Sequence, residues 1–185
     1  DFGLFGQGLA IGPTLLHPKA RGEVRLRPSS LEQNATNAKS KDYPIIDYEL
    51  FHDEEDISRL IEGIRRTQSI MAQPAMAAHE PTLLHVRALS DRLGVDTDEY
   101  WREYIKRVGF VVYHPVGTCK MGRIDDPASV VDPELRVIGV GGLRIADASV
   151  MPDITSGNTQ VPTAAIAVQM VRILKEKYMP GDGAV

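Results

Sequence analysis

Tyr113-His114-Pro115-Val116-Gly117-Thr118-Cys119-Lys120-Met121-Gly122 is the most informative stretch of this chain, and Ser156-Gly157-Asn158-Thr159-Gln160-Val161-Pro162 answers it further on. Each string sets one polar side chain, His114 or Asn158, in backbone whose direction Gly and Pro would fix. Histidine is the side chain whose ordinary pKa allows proton transfer near neutrality. Pro115 holds His114 in extended geometry, and Gly117 lets the chain turn sharply behind it. The segment suits a proton acceptor at a strand end as well as a core histidine bonded to a carbonyl. Asn158 stands just ahead of a helix, where it could cap the helix or face a ligand. Free N–H groups and the positive dipole end at a helix start favour an anion or a ring carrying negative charge.

Outward from these strings, periodicity supplies the elements. Arg21 to Arg27 turns to charged–apolar alternation at Glu23, the pattern of a strand with one wet face. Residues 29 to 44 read as a polar loop, followed by a short extended segment from Tyr43 to Tyr48. A helix is expected after Asp53, with Glu54, Glu55 and Asp56 at its positive end and Ile57, Leu60, Ile61, Ile64 and Met71 on one stripe. Gln73-Pro74 should end it. A second helix is expected from Pro81 to Gly94, and a third after Asp96 with Glu99 completing a capping box. All three read as scaffold.

Phe110-Val111-Val112-Tyr113 reads as a buried strand leading into His114. Leu135-Arg136-Val137-Ile138 and Leu143-Arg144-Ile145-Ala146 read as short strands about a glycine turn. Gly139-Val140-Gly141-Gly142 is not a dinucleotide loop, because Arg144 stands where the third glycine is needed and no helix follows. Asp147-Ala148-Ser149, at a strand end, fits either a plain Asp turn or a carboxylate accepting from a sugar hydroxyl. From Pro162 to about Tyr178 a last helix carries Ala165, Ile166, Val168, Met170, Ile173 and Leu174 on an apolar face, with Lys175 and Lys177 at its negative end.

Bulk properties narrow the function. The 185 residues suffice for one domain with a real core or for parts of two, and 43% hydrophobic with 25% charged residues is ordinary globular composition. A net charge of −4 with no basic cluster argues against nucleic acid. No window approaches the roughly 18 apolar residues of a membrane span. Cys119 is the one cysteine, so neither an internal disulfide nor a cysteine-based metal site can form. A Cys119–His114 nucleophilic pair has no signalled contact or oxyanion site. The start, Asp1-Phe2-Gly3-Leu4, has no initiator Met and no signal-peptide pattern, so the chain is expected to be a piece of a longer protein whose targeting information lies elsewhere.

Together the strings His114–Gly122, Val131-Asp132-Pro133-Glu134-Leu135-Arg136-Val137, Leu143-Arg144-Ile145-Ala146-Asp147-Ala148-Ser149-Val150-Met151-Pro152 and Ser156-Gly157-Asn158-Thr159 resemble the C-terminal portion of the glucose–methanol–choline (GMC) family of FAD-dependent oxidoreductases. The flavour is closest to choline dehydrogenase-like and insect glucose dehydrogenase-like members. Upstream, His17-Pro18-Lys19-Ala20-Arg21-Gly22 with Val24-Arg25-Leu26 is similar to the opening of that family's substrate-domain sheet. The resemblance implies an α+β fold in which residues 1–112 are part of a substrate-binding domain and residues 113–185 the C-terminal part of an FAD-binding domain.

For chemistry, the resemblance implies oxidation of a CH–OH group, with hydride passing to flavin N5. His114 matches the catalytic histidine that assists loss of the hydroxyl proton, and Asn158 the His-or-Asn position that bonds the substrate oxygen. Asp147 and Ala148 match residues near the cofactor's ribityl and pyrophosphate; Thr159, Gln160 and Val161 match the stretch along the flavin's pyrimidine edge. The implied partners are a small-molecule alcohol and an electron acceptor, whether quinone, dye-type acceptor or oxygen. The family's Rossmann fingerprint has no counterpart in this sequence, so the chain alone is expected to be inactive or very weak. Two alternatives stay open: a hydroxynitrile lyase-like member, or a truncated inactive product.

Overall fold

The computed structural model describes residues 9–26 and 43–180. The fold is α+β: strands β1 (Glu23–Arg25) and β2 (Ile45–Asp47), then helices α1 (Glu54–Met71), α2 (Pro74–Ala77), α3 (Arg87–Leu93), α4 (Asp98–Val108) and α5 (Gln160–Tyr178). β1 and β2 pair antiparallel, with Glu23 opposite Asp47 and Arg25 opposite Ile45. The polar loop expected over 29 to 44 falls outside the described residues up to 42. Two compact units emerge: residues 1–22 with 48–110, and residues 23–47 with 111–185. No described helix is long and apolar enough to cross a membrane.

The first unit is built on α1, α3 and α4. Asp53 caps α1 as expected, accepting from the N–H groups of Glu55 and Asp56. Ile57 and Ile61 from its stripe are buried with Leu89, Tyr100, Trp101 and Ile105. Tyr100 and Trp101 meet edge to face at 5.0 Å, a favoured geometry for aromatic quadrupoles. Asp56, buried at the first turn of α1, accepts from the N–H groups of Lys19 and Ala20 at 2.9 Å and so ties down residues 17–22.

Two expectations need correction here. The second helix does not open at Pro81 but at Arg87, because the Tyr100 hydroxyl accepts from Val86 N–H at 3.0 Å and Val86 becomes the N-cap instead of a helical residue. Leu83 and Leu84 before it are exposed. The cap of α4 is Thr97, accepting from Tyr100 N–H at 3.1 Å, and not Asp96. Asp96 is committed elsewhere: its Oδ1 accepts from Arg65 Nη1 at 2.6 Å, Gln68 Nε2 at 2.7 Å and Trp101 Nε1 at 2.6 Å. Burial works against the Asp96 carboxylate, yet these donors hold its pKa below the usual aspartate value.

The second unit packs Val131, Leu135, Val150 and Met170 together, with Met121, Val137, Ile145 and Ile166 against them. No described strand spans Phe110–Tyr113; Phe110 and Tyr113 are exposed, and Tyr113 has a φ of 59°, which takes the chain out of extended geometry. Short apolar runs carry no period that separates a buried strand from an extended link. The two strands expected at 135–138 and 143–146 reduce to bridge contacts, Arg136 opposite Arg144, with Val137 N–H bonded to Leu143 O at 3.0 Å and Ile145 N–H to Leu135 O at 3.1 Å. Residues 139–142 form the turn between them, as the sequence suggests.

Candidate functional site

His114 begins a loop whose far end is anchored by backbone bonds. Cys119 N–H donates to Ser149 O at 2.9 Å, Met121 N–H to Val150 O at 2.9 Å and Gly122 N–H to Val131 O at 3.0 Å. Gly117, with φ 87°, makes the reversal that returns the chain to residues 149–151; a side chain there would be strained, and its Cβ would lie 3.4 Å from Met151 O. Cys119 is half-buried and serves the loop through its backbone.

The wall behind this loop is the Val131–Val137 turn, organised by Asp132. Its Oδ1 accepts from the N–H groups of Glu134 (2.9 Å) and Arg136 (3.0 Å), and its Oδ2 from Arg136 Nε at 2.6 Å. Only 4% of Asp132 is exposed. Burial alone would raise its pKa, but the hydrogen bonds from Arg136 and Glu134, with the guanidinium charge, outweigh it and keep the carboxylate ionised below the ordinary range.

Asp147 accepts from Ser149 N–H at 2.8 Å and so caps the 3₁₀ turn Ala148–Val150, which sets Val150 in the core. Asp147 itself is exposed and Ala148 half-buried, so both border solvent beside the loop's anchor points.

Asn158, Gln160 and Val161 are exposed around the start of α5, and Thr159 between them is buried. α5 begins two residues earlier than expected and has no side-chain cap, so its leading N–H groups are unclaimed by any cap oxygen. The Thr159 hydroxyl instead lies 3.1 Å from His114 Nδ1, a contact across 45 positions of sequence. That contact joins the two motif loops, and it places Asn158 one residue from the group that touches the imidazole. Of the residues singled out from sequence, His114 and Thr159 are in direct contact; Asn158, Gln160 and Val161 adjoin them through the backbone, and Asp147 and Ala148 sit on the turn that holds the His114 loop. No local sequence signal announces the Thr159–His114 contact, which joins positions 45 residues apart.

A recess of about 750 Å³ in the same unit is lined by residues including Arg136, Gly139, Arg144, Met170 and Tyr178. None of His114, Asn158 or Thr159 belongs to its lining. The described residues contain no cluster of His, Cys, Asp and Glu able to hold a metal ion.

Residues 18–167 match the family model of the GMC oxidoreductase C-terminal domain. The chain is 38% identical to choline oxidase of Arthrobacter globiformis over 91% of this chain and 29% of that protein. It is 37% identical to an alcohol dehydrogenase [acceptor] of Pseudomonas putida over 93% of this chain and 28% of that protein. Among solved structures, an FAD-dependent oxidoreductase from Chaetomium thermophilum matches with a TM-score of 0.71 at 27% identity, covering 89% of this chain and 26% of that one. A fungal aryl-alcohol oxidase matches with a TM-score of 0.68 at 27% identity, covering 89% and 25%. The chain thus spans under a third of the length of these relatives.

Proposed function

Because this chain belongs to the GMC oxidoreductase family, we propose that the whole protein is an FAD-dependent oxidoreductase that oxidises the CH–OH group of a small alcohol, with His114 as the base. Residues 113–185 furnish the C-terminal part of the FAD-binding domain, and residues 1–112 part of the substrate-binding domain. The single observation carrying this reading is the 3.1 Å contact between His114 and Thr159, which brings the histidine loop to the start of α5 beside Asn158. The oxidoreductase names of the relatives, choline oxidase and alcohol dehydrogenase [acceptor] among them, support the reaction class.

The residues present suit an FAD ring. α5 starts without a side-chain cap, and Gln160 and Val161 are exposed there, so backbone N–H donors and the positive dipole end are available to a ring edge that carries negative charge. Asp147 and Ala148 lie on an exposed turn where hydroxyl and phosphate groups of the cofactor's chain would be met. FAD, when bound, would supply the two-electron acceptor for the alcohol's hydride. His114 takes the hydroxyl proton as the alcohol's C–O bond becomes a carbonyl, and Asn158 hydrogen-bonds the same oxygen without exchanging a proton. The start of α5 stabilises negative charge next to it.

The test is a screen of the whole protein against choline-type, aromatic and sugar alcohols, with a dye acceptor and oxygen side by side. The reading predicts anaerobic bleaching of the flavin's visible absorbance by at least one alcohol. A flavin that stays oxidised with every alcohol while a cyanohydrin is cleaved would replace it with a lyase that uses the same histidine without net redox change.

A further inference from the structure

We propose that Thr159 is the positioning residue for His114: its Oγ1 accepts from Nδ1–H and thereby holds the imidazole in the tautomer whose Nε2 is free to take the alcohol's proton. The inference rests on the reading of His114 as base, and deepens it.

Three observations lead there. First, three polar residues are buried among the described ones, Asp56, Asp132 and Thr159. Asp56 spends its oxygens on the N–H groups of Lys19 and Ala20, and Asp132 spends its own on two N–H groups and the Arg136 guanidinium of its own turn. Thr159, 6% exposed, spends its hydroxyl on an imidazole. Second, another threonine at a helix start makes a different use of its hydroxyl. Thr97, the N-cap of α4, turns its hydroxyl back to accept from Tyr100 N–H at 3.1 Å, as a capping threonine does. Thr159, at the head of α5, is already in helical geometry (φ −82°, ψ −4°) where Thr97 is extended (φ −79°, ψ 161°), and its hydroxyl makes no such bond. Its hydroxyl is thus not engaged in capping, and the partner it has is the histidine. Third, the Thr159 carbonyl is engaged by Thr163, through N–H at 3.0 Å and Oγ1 at 2.7 Å, so the residue's backbone is held by the first turn of the helix while its side chain reaches out of it.

The direction of the bond follows from what the base must do. A neutral imidazole carries one proton, on Nδ1 or on Nε2. If the threonine hydroxyl donated to Nδ1, the proton would sit on Nε2 and the ring could not accept there. With Oγ1 as acceptor, Nδ1 keeps its hydrogen and Nε2 presents a lone pair. When the alcohol's O–H bond breaks and its proton bonds to Nε2, the ring gains one positive charge and Nδ1–H still points at the same oxygen. One contact serves the ring before and after proton transfer, with no rotation between.

The experiment uses the whole flavoprotein, wild type beside Thr159→Val, Thr159→Ser and His114→Ala. Histidines labelled with ¹⁵N are read by NMR in the resting enzyme, with His114→Ala identifying the resonance. The wild type is expected to show Nδ1 protonated and Nε2 unprotonated. Thr159→Val is expected to give a tautomer mixture, a loss of about ten- to a hundredfold in kcat with a smaller change in KM, and a displaced pH profile. Thr159→Ser should restore both the tautomer and most of kcat, which a purely structural role of the methyl group would not. A wild-type resting state protonated on Nε2 overturns the inference by itself, even if Thr159→Val fails to fold. Loss of activity in His114→Ala with full activity and an unchanged tautomer in Thr159→Val overturns the positioning role and leaves the base in place. Full activity in His114→Ala removes the base reading first, and the inference with it.

Discussion

Replacing Asp132 by Asn tests whether the wall behind the histidine loop stands on a buried charge. In the native turn Oδ1 receives two backbone N–H groups, from Glu134 at 2.9 Å and Arg136 at 3.0 Å, while Oδ2 receives Arg136 Nε at 2.6 Å. The asparagine keeps one oxygen for the two backbone donors and sets an NH₂ against Nε. Hydrogen bonds to a charged acceptor are about twice as strong as neutral ones, so each backbone bond weakens by roughly half of its 1.5–3 kcal/mol. The guanidinium is half in solvent and water takes over its share. The two backbone bonds together therefore set the scale, about 1.5–3 kcal/mol, or roughly a ten- to hundred-and-sixtyfold rise in the opening equilibrium of the turn.

Amide hydrogen exchange over residues 130–146 reads that opening directly. Asp132 has a folded pKa below its unfolded value, so its contribution is complete above about pH 4 and disappears as pH falls through the folded pKa. The ratio of variant to wild-type exchange should therefore be largest near neutrality and shrink toward one in strong acid. A ratio under twofold at pH 7, or one that stays constant down the pH scale, refutes the assignment of a supporting charge to Asp132.

Asp96→Ala removes the acceptor shared by Arg65, Gln68 and buried Trp101 and puts Ala at a φ of 66°, so it should cost about 2–4 kcal/mol, seen as an earlier urea midpoint by Trp101 fluorescence. Gly109→Ala should strain the end of α4, since a Cβ there would lie 2.2 Å from Phe51 Cζ and 2.6 Å from Ile105 O; a melting curve coincident with wild type would contradict that close approach. Gly117→Ala should cost about 1–2 kcal/mol at its left-handed backbone and lower turnover by shifting His114. Cys119→Ser should leave turnover within about a few-fold, as befits a residue that serves by its backbone, and a hundredfold drop would give the thiol a role in the chemistry.

What sequence could convey depended on whether the signal was local. Asp53 followed by three acids and a stripe of Ile and Leu marks α1 within a few residues, and α1 formed there. Asp96 and Thr97 carry equal local claims to cap α4; the choice was made by Arg65 and Gln68 from another helix, which take Asp96 away. The helix expected from Pro81 opens only after Val86, whose N–H donates to a tyrosine hydroxyl fourteen positions beyond it. At the site, the motifs located the histidine loop and the α5 entrance, because glycines and prolines there are tied to backbone geometry. The bond that joins the two loops spans 45 positions and has no local trace.

The account rests on proton removal by His114 during alcohol oxidation, and the rate of flavin reduction measures it most directly. Under anaerobic single-turnover conditions, His114→Ala in the whole protein should bleach the flavin about 10²- to 10⁴-fold more slowly than wild type while retaining its FAD. Bleaching at the wild-type rate would contradict it.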